Sequence, residues 1–368
     1  MKYYILAGEP SGELYGAQLM TALLKKDEDA QFRYWGGEKM KSVSSGLDVH
    51  IKDSSFMGFV EVVKNLPAII KLFRITKESI LEFTPDVIVL IDYPGFNLKL
   101  AKWAKLKGFK IVYYISPQVW AWKKGRVETI RKYVDELIVI LPFEKEWFSQ
   151  YNIDAKYVGH PLVPHITKFQ DENRKGSTLD QEILALLPGS RLQEIKTLLP
   201  IMLNAVSSMN HKFEVVLAAS PNVDYKVFQD LVKNYNFPIH IKVNEVYDVL
   251  NNATLALVAS GTATLETALF NVPQVVVYKT SSINYFIGKR LVNLPFFSLV
   301  NLIAGKEIVP ELLQADASTK NIVSSLEKVM QSNSLKEDYN ELAQKLESKP
   351  GENPADLCAE YVINVASN

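Results

Sequence analysis

Apolar positions in this chain fall into short, nearly continuous runs separated by longer segments of helical period. KYYILA (2–7), QFRYWG (31–36), DVIVLID (86–92), FKIVYYIS (109–116) and ELIVILP (136–142) read as five strands in the first half, with a helix over 14–25. Strands without strict alternation, spaced by helices, indicate parallel sheets covered on both faces. Residues 159–181, rich in prolines and charges, break the rhythm and read as a linker. The pattern resumes with EILALLP (182–188), FEVVLAA (213–219), IHIKV (239–243), LALVAS (255–260) and QVVVY (274–278). The expected architecture is α/β, with two Rossmann-like, doubly wound parallel-sheet domains facing a central cleft. The expected bounds are 1–165 and 166–350. Residues 351–368, with a helix over roughly 354–366 after the breaker-rich SKPGENP, are expected to cross back to the first domain.

In doubly wound sheets ligands sit beyond the carboxyl ends of the strands, so the loops there carry the candidate chemistry. VASGTATLETALF (258–270) reads as a strand tail, a tight turn and a helix opening on Ser260, Gly261 and Thr262, with Glu266 one turn inside. Free N–H groups at such a turn hold phosphate, and the carboxylate then accepts from a sugar hydroxyl; an acid early in a helix also favours the dipole with no ligand. LLPGSRLQEI (186–195) repeats the plan with Gly189, Ser190 and Arg191. Ser190 and Gln193 form a capping-box pattern. Arg191 opposes the helix dipole and fits there if an anion lies beside it, its planar fork suiting a diphosphate.

In AGEPSGELYGA (7–17) glycines recur at 8, 12 and 16, a spacing that matches neither the dinucleotide fingerprint nor a Walker A loop. These glycines read either as a tight turn with Gly16 easing helix–sheet packing, or as bare backbone admitting a sugar or phosphate. Asp92, in IDYPGFN, reads either as a general base at a strand end or as a turn aspartate before Pro94, and Asn97 as a cap of the following helix. YYISPQVWAWKKGRV (113–127) places an amide and two tryptophans, Trp120 and Trp122, on a loop, for packing or for sugar and acyl contacts. His160 in YVGHP is a hinge, cleft or structural histidine. Residues 56–77 are apolar and basic. Ile69, Leu72, Phe73, Ile80 and Phe83 form a core stripe, while Phe56, Met57, Phe59 and Val63 lie outside it, as core or as a surface for an anionic bilayer.

Composition narrows the partners. Lys plus Arg and Asp plus Glu number 41 each, which gives no basic face for nucleic acid. The single cysteine, Cys358, excludes an internal disulfide framework and fits a reducing cytoplasm. No stretch reaches the roughly 20 apolar residues of a spanning helix, so membrane contact is expected to be peripheral, and Glu9 interrupts the N-terminal apolar run too early for a signal peptide. DED at 27–29 reads as solvated surface, and His and Cys spacings give no zinc site.

GEPSGELYGA, FMGFVEV, IDYPGFN, SPQVWAWKKGRV, FEKEWF, VGHP, LLPGSR, ASGTATLE and NLIAGKEIVPELLQ occur in order over nearly the whole chain. The set closely resembles the lipid-A-disaccharide synthases, glycosyltransferases of family 19 with the two-domain GT-B fold. The resemblance implies a metal-independent, cofactor-free, inverting transfer in Gram-negative lipid A biosynthesis. The donor would be UDP-2,3-diacylglucosamine, the acceptor 2,3-diacylglucosamine 1-phosphate (lipid X), and the place the cytoplasmic face of the inner membrane. By motif position it implies Asp92 and Arg191 as catalytic. Gly189, Ser190, Arg191, Ser260, Gly261, Thr262, Glu266 and Asn301 would bind UDP, Asn301 coming from the swapped C-terminal region of a homodimer. Ser11, Gly12, Glu13, Gly16, Met57, Gln118, Trp120 and His160 fall on the acceptor side. Two positions depart from the family pattern: Glu13 and Gly95 stand where aspartates are usual, which leaves Asp92 as the only acid of its loop. The rivals are another GT-B-like enzyme, such as a UDP-sugar 2-epimerase, and a non-catalytic nucleotide-sugar-binding module.

Overall fold

The computed structural model describes residues 1–54, 66–120, 125–173, 182–210, 213–280, 295–349 and 351–368. These divide into two compact units, Met1–Pro161 with Leu346–Asn368, and Leu162–Lys345. Each is built on one parallel sheet. The first contains β1 (Lys2–Ala7), β2 (Gln31–Gly36), β3 (Leu47–His50), β4 (Val87–Ile91), β5 (Ile111–Tyr114), β6 (Glu136–Val139) and β7 (Lys156–Tyr157), in the spatial order 3-2-1-4-5-6-7. The second contains β8 (Ile183–Leu187), β9 (Glu214–Ala219), β10 (Ile239–Val243), β11 (Leu255–Ala259), β12 (Gln274–Tyr278) and β13 (Glu311–Leu313), in the order 10-9-8-11-12-13. Both are Rossmann-like, and in each the order reverses once, between β1 and β4 and between β8 and β11.

The central strands are buried end to end, which is why they read as unbroken apolar runs. β3, β7 and β13 go beyond the strands expected. They are short outer strands with sequences LDVH, KY and ELL, too brief and too polar for a strand signal. β5 ends at Tyr114 rather than 116 because Ile115 turns into the left-handed region at φ 62°.

The first helix runs Pro10–Lys26, so Gly12 and Gly16 are helical residues and not a turn. Their four-residue spacing puts both on the face toward the sheet. A Cβ on Gly12 would touch Ala7 and Ile91 at 3.5 Å, and one on Gly16 would come within 2.8 Å of the Met40 sulfur. Gly16 therefore eases the approach of the first helix to Met40 of the short helix Glu38–Lys41 and, at 3.4 Å, to Ile91 of the sheet. The stretch expected as a linker begins with a helix, Leu162–Glu172, whose Leu162 and Ile166 are buried; its one internal proline falls in the first turn, where no helical N–H is lost. In the helix Leu66–Phe83, Ile80 is core and Ile69, Leu72, Phe73 and Phe83 pack against it, as the stripe required. Phe56, Met57, Phe59, Val63 and Trp122 lie outside the described residues. Asp27 is not solvated surface: it takes the N-terminal amine at 2.8 Å and the Tyr3 hydroxyl at 3.0 Å.

The C-terminal helix, Pro354–Ser367, packs on the first helix, with Ala355, Cys358, Ala359 and Val362 buried. It enters across VGHP. His160 N–H donates to Leu346 O at 2.7 Å, and Gly159, at φ +84°, lies so close that an added Cβ would sit 2.9 Å from Ser348 N. Left-handed backbone and a backbone collision act together here, so Gly159→Ala is expected to destabilise the protein by about 2 kcal/mol. A lower urea midpoint with unchanged slope would show it.

Candidate active site

The loops at the two strand-order reversals carry the candidate residues, as expected for doubly wound sheets. In the first unit, β1 and β4 pair with Ala7 opposite Ile91, so Gly8 and Asp92 leave the sheet side by side. The chain then turns sharply. Asp92 and Tyr93 are both left-handed, at φ 43° and 47°, and Tyr93 is the N-cap of the helix Pro94–Leu106. Non-glycine residues in this region cost ~1–3 kcal/mol each. Four hydrogen bonds hold the turn: Asp92 N–H to Tyr114 O (3.1 Å), Tyr113 hydroxyl to Asp92 O (2.6 Å), and the Asn97 amide to Asp92 O (2.7 Å) and Ile91 O (3.2 Å). At about 1 kcal/mol net for each, they match the strain. Asn97 is thus not a cap but a buried brace inside the helix. Gly8 completes the turn, since a Cβ there would lie 2.4 Å from the Tyr93 ring.

The Asp92 carboxyl is pushed up to about 7, first by burial, then by the neighbouring Glu9 charge and more weakly by Glu144; the Tyr93 N–H opposes the shift. A carboxylic acid titrating near neutrality is a competent proton acceptor. Glu144 is also pushed up to about 7 by burial, although it accepts from Ser116 Oγ (3.1 Å), Trp120 Nε1 (3.0 Å) and Leu141 N (3.0 Å). Trp120 is therefore pinned and nearly buried, and Gln118 is exposed. Ser11 is exposed, whereas Glu13 is buried with its carboxylate accepting from Lys39 N at 2.7 Å, capping the short helix Glu38–Lys41. His160 is buried and edge-on to Tyr15, and burial lowers its pKa to about 3, so it is neutral at physiological pH. Gly95 is exposed, with open space where a side chain would stand.

In the second unit, β8 and β11 pair with Leu187 opposite Val258, so PGSR and SGT emerge together. The helix Thr262–Leu269 has Gly261 at its N-cap; Gly261 and Thr262 are exposed, and a Cβ on Gly261 would meet nothing within 4 Å. The N–H groups of a helix's first turn lack the regular intrahelical acceptor; here that of Thr264 reaches Gly261 O at 3.2 Å. Ser260 Oγ donates to Phe297 O at 3.1 Å, tethering the turn. Glu266 accepts from the Tyr247 hydroxyl at 3.1 Å. Ser190 does not cap: the N-cap of the helix Leu192–Ser207 is Arg191, without a side-chain bond. Arg191 pairs instead with Glu194 at 3.0 Å, and Glu194 folds back over Gly189, which is left-handed at φ +106°. The acid thus answers both the dipole and the guanidinium, and Arg191 remains 62% exposed. Asn301 is fully buried, bonding Val309 O and Glu311 and accepting from Ile308 N and Val309 N, so its amide organises its own unit. Among the described residues no group of three or more His, Cys, Asp or Glu could hold a metal ion, and no helix is long and apolar enough to cross a membrane.

The family model for lipid-A-disaccharide synthetase matches residues 3–361. The chain belongs to the lipid-A-disaccharide synthase family. It is 39% identical over 330 residues to the lipid-A-disaccharide synthase of Syntrophus aciditrophicus, covering 88% of this chain and 86% of the relative. With that of Alcanivorax borkumensis it shares 36% identity over 363 residues, 95% of each. Among solved structures it resembles UDP-GlcNAc 2-epimerase from Neisseria meningitidis bound to UDP-GlcNAc (TM-score 0.63, 13% identity, 100% of both chains). It also resembles the calicheamicin glycosyltransferase CalG4 (TM-score 0.62, 14% identity, 100% of this chain and 98% of the other). At such identity these share the fold, which is GT-B, and family membership makes the protein a glycosyltransferase of lipid A biosynthesis.

Glu9, Glu144, Tyr113 and Tyr247 escaped the sequence reading. Only Glu144 left a local sign, the Leu-Pro-Phe-Glu start of a helix with an acid at its third position. Asp92 and Glu144, both pushed up to about 7, make stability depend on pH in the same direction, and a substitution isolates the Asp92 part. The folded Asp92 pKa of about 7 lies above the ordinary 3.8, so the native state keeps a proton that the unfolded chain releases. Its contribution is intact below about pH 4 and is lost as pH rises to about 7. Asp92→Asn is expected to gain about 4 kcal/mol at pH 8 and almost nothing at pH 4, read from urea unfolding at the two pH values.

Proposed function

We propose that the enzyme transfers 2,3-diacylglucosamine from UDP to the 6-hydroxyl of lipid X, releasing UDP and the β-1,6-linked disaccharide 1-phosphate. The observation that carries this reading is the Asp92 carboxyl, braced in a left-handed turn at the strand-order reversal and titrating near 7. Asp92 takes the proton of the acceptor hydroxyl as its oxygen forms the new bond to the anomeric carbon. The bond to the diphosphate breaks with its electron pair leaving on UDP, so the configuration inverts. Arg191 and the N–H groups at the helix starts near 192 and 262 take up that charge in place of a metal, and Glu266, oriented by Tyr247, accepts from the ribose. Exposed Leu66 and Ile70 beside exposed Lys71 and Arg74 support peripheral contact with an anionic bilayer, the source of acylated substrates. A homodimer with exchanged C-terminal regions belongs to the same reading.

A mass-spectrometric assay with UDP-diacylglucosamine and lipid X tests this reading. Wild type should form the disaccharide only when both are present, and donor conversion without lipid X would indicate an epimerase. Asp92→Asn should bind UDP normally yet lose turnover, and unchanged activity would refute the base. Arg191→Ala should lower kcat roughly 10²–10³-fold. Gly261→Ala, whose methyl enters open space, should leave the melting temperature unchanged and weaken UDP about tenfold in calorimetry.

A further inference from the structure

Three strands of the first sheet end at one edge in register. Ile91 pairs with Tyr114, and Tyr114 with Ile138, so Asp92, Ile115 and the segment leading to Glu144 succeed one another across that edge. Ile115 is a β-branched residue at φ 62°, a conformation such residues avoid unless the surroundings impose it. The loop after Ile115 is built inside out. Ser116, Pro117, Val119 and Trp120 are all buried, and Gln118 between them is exposed. The anchor is Glu144, only 2% exposed, which receives the Ser116 hydroxyl and the Trp120 indole N–H on one oxygen and Leu141 N–H on the other. Trp120 is further held edge-on against Phe143, with ring centroids 5.0 Å apart. A buried carboxylate is an expensive anchor where an apolar contact would serve for stability alone. Its directed bonds fix orientation, which packing cannot do as sharply.

We propose that Glu144 is a positioning residue for the transfer: by clamping the 116–120 loop through Ser116 and Trp120 it holds Gln118 outward at the Asp92 edge of the sheet, where the Gln118 amide orients the acceptor sugar. The assignment rests on the glycosyl-transfer reading above and adds to it a specificity residue and its support. An amide suits sugar hydroxyls because it both donates and accepts. The groups that face Glu144 are Ser116, Trp120 and, through charge, Asp92 and Tyr157. Its charge raises the Asp92 carboxyl, so the same residue that fixes the loop also bears on the pH at which the base works.

The test uses the full-length protein with UDP-diacylglucosamine and lipid X, in wild type, Gln118→Ala, Glu144→Gln, Trp120→Phe and the pair Glu144→Gln with Gln118→Ala. Gln118→Ala, a change at an exposed side chain, should raise the acceptor KM about tenfold with melting temperature and UDP affinity unchanged. Glu144→Gln sets an amide N–H against a donor of the triad, and Trp120→Phe removes one donor but keeps a ring. Both should raise the same KM by a similar factor, and the paired variant should add little to either single change. Glu144→Gln should also move the acid limb of kcat/KM to lower pH, because a like charge near Asp92 is gone. A lower melting temperature in Glu144→Gln and Trp120→Phe with acceptor KM and pH profile unmoved would overturn the proposal, as would a wild-type acceptor KM in Gln118→Ala. Absence of disaccharide with wild-type protein would instead overturn the transfer reading, and this proposal with it.

Discussion

The first unit depends on how the chain leaves its central strand. At the end of β4 two non-glycine residues in succession, Asp92 and Tyr93, adopt left-handed backbone, and the neighbouring strand, the following helix and the β1 loop all contribute to keeping them there. Desolvation at this turn, and then the charge of Glu9, moves the titration of the Asp92 carboxyl toward neutrality. A carboxylate on a relaxed surface turn would be ionised and solvated, and a poorer base at neutral pH. Backbone strain and the raised titration thus meet in one turn, whose backbone is held by bonds from the adjacent strand and from the helix that follows.

The second unit uses the same topology for the opposite charge. At its own strand-order reversal two helices start on exposed, glycine-containing turns, and a helix start carries the positive end of its dipole. Here the local acid, Glu194, is set against Arg191 rather than isolated, so the guanidinium is oriented without being buried. Tyr247 does for Glu266 what Tyr113 does for the Asp92 backbone, a phenol fixing a group that the strand end alone would leave free to rotate. The fold thus offers one kind of position, and side-chain surroundings decide whether it holds a carboxyl titrating near neutrality or an exposed helix start with a guanidinium.

Much is legible from pattern because the physics behind it is local. A strand buried on both faces is mostly apolar, so β1, β2, β4, β5, β6, β8, β9, β11 and β12 are visible as runs, and the more exposed β10 is visible from its alternating isoleucines and valine. A doubly wound sheet places its chemistry at strand ends, so the loops holding Asp92, Arg191 and Glu266 follow from those runs. The family resemblance rests on short motifs in order, and the family itself is shown by matches over most of the chain. The short outer strands escape notice because LDVH, KY and ELL gain their hydrogen bonds from a neighbour and carry little apolar content of their own. Gly12 and Gly16 can pass for a turn because glycine signals both a turn and a close helix–sheet approach, and only the register of the helix on β1 and β4 separates the two.

By itself, then, the sequence determined the two parallel-sheet units and the strand-end loops proposed to carry the chemistry, since hydrophobic period and glycine placement act within a few residues. Only the tertiary structure decided the state of the groups in those loops. Asp92 titrates near neutrality because folding buries it and then sets Glu9, from the loop after another strand, near it; Ser190 is not a cap; Asn97 is spent on backbone and Asn301 on backbone and Glu311; and Glu144 holds a loop 24 to 28 residues away in the chain. The physical reason is that desolvation and charge act through space, between groups that the chain brings together only when it folds.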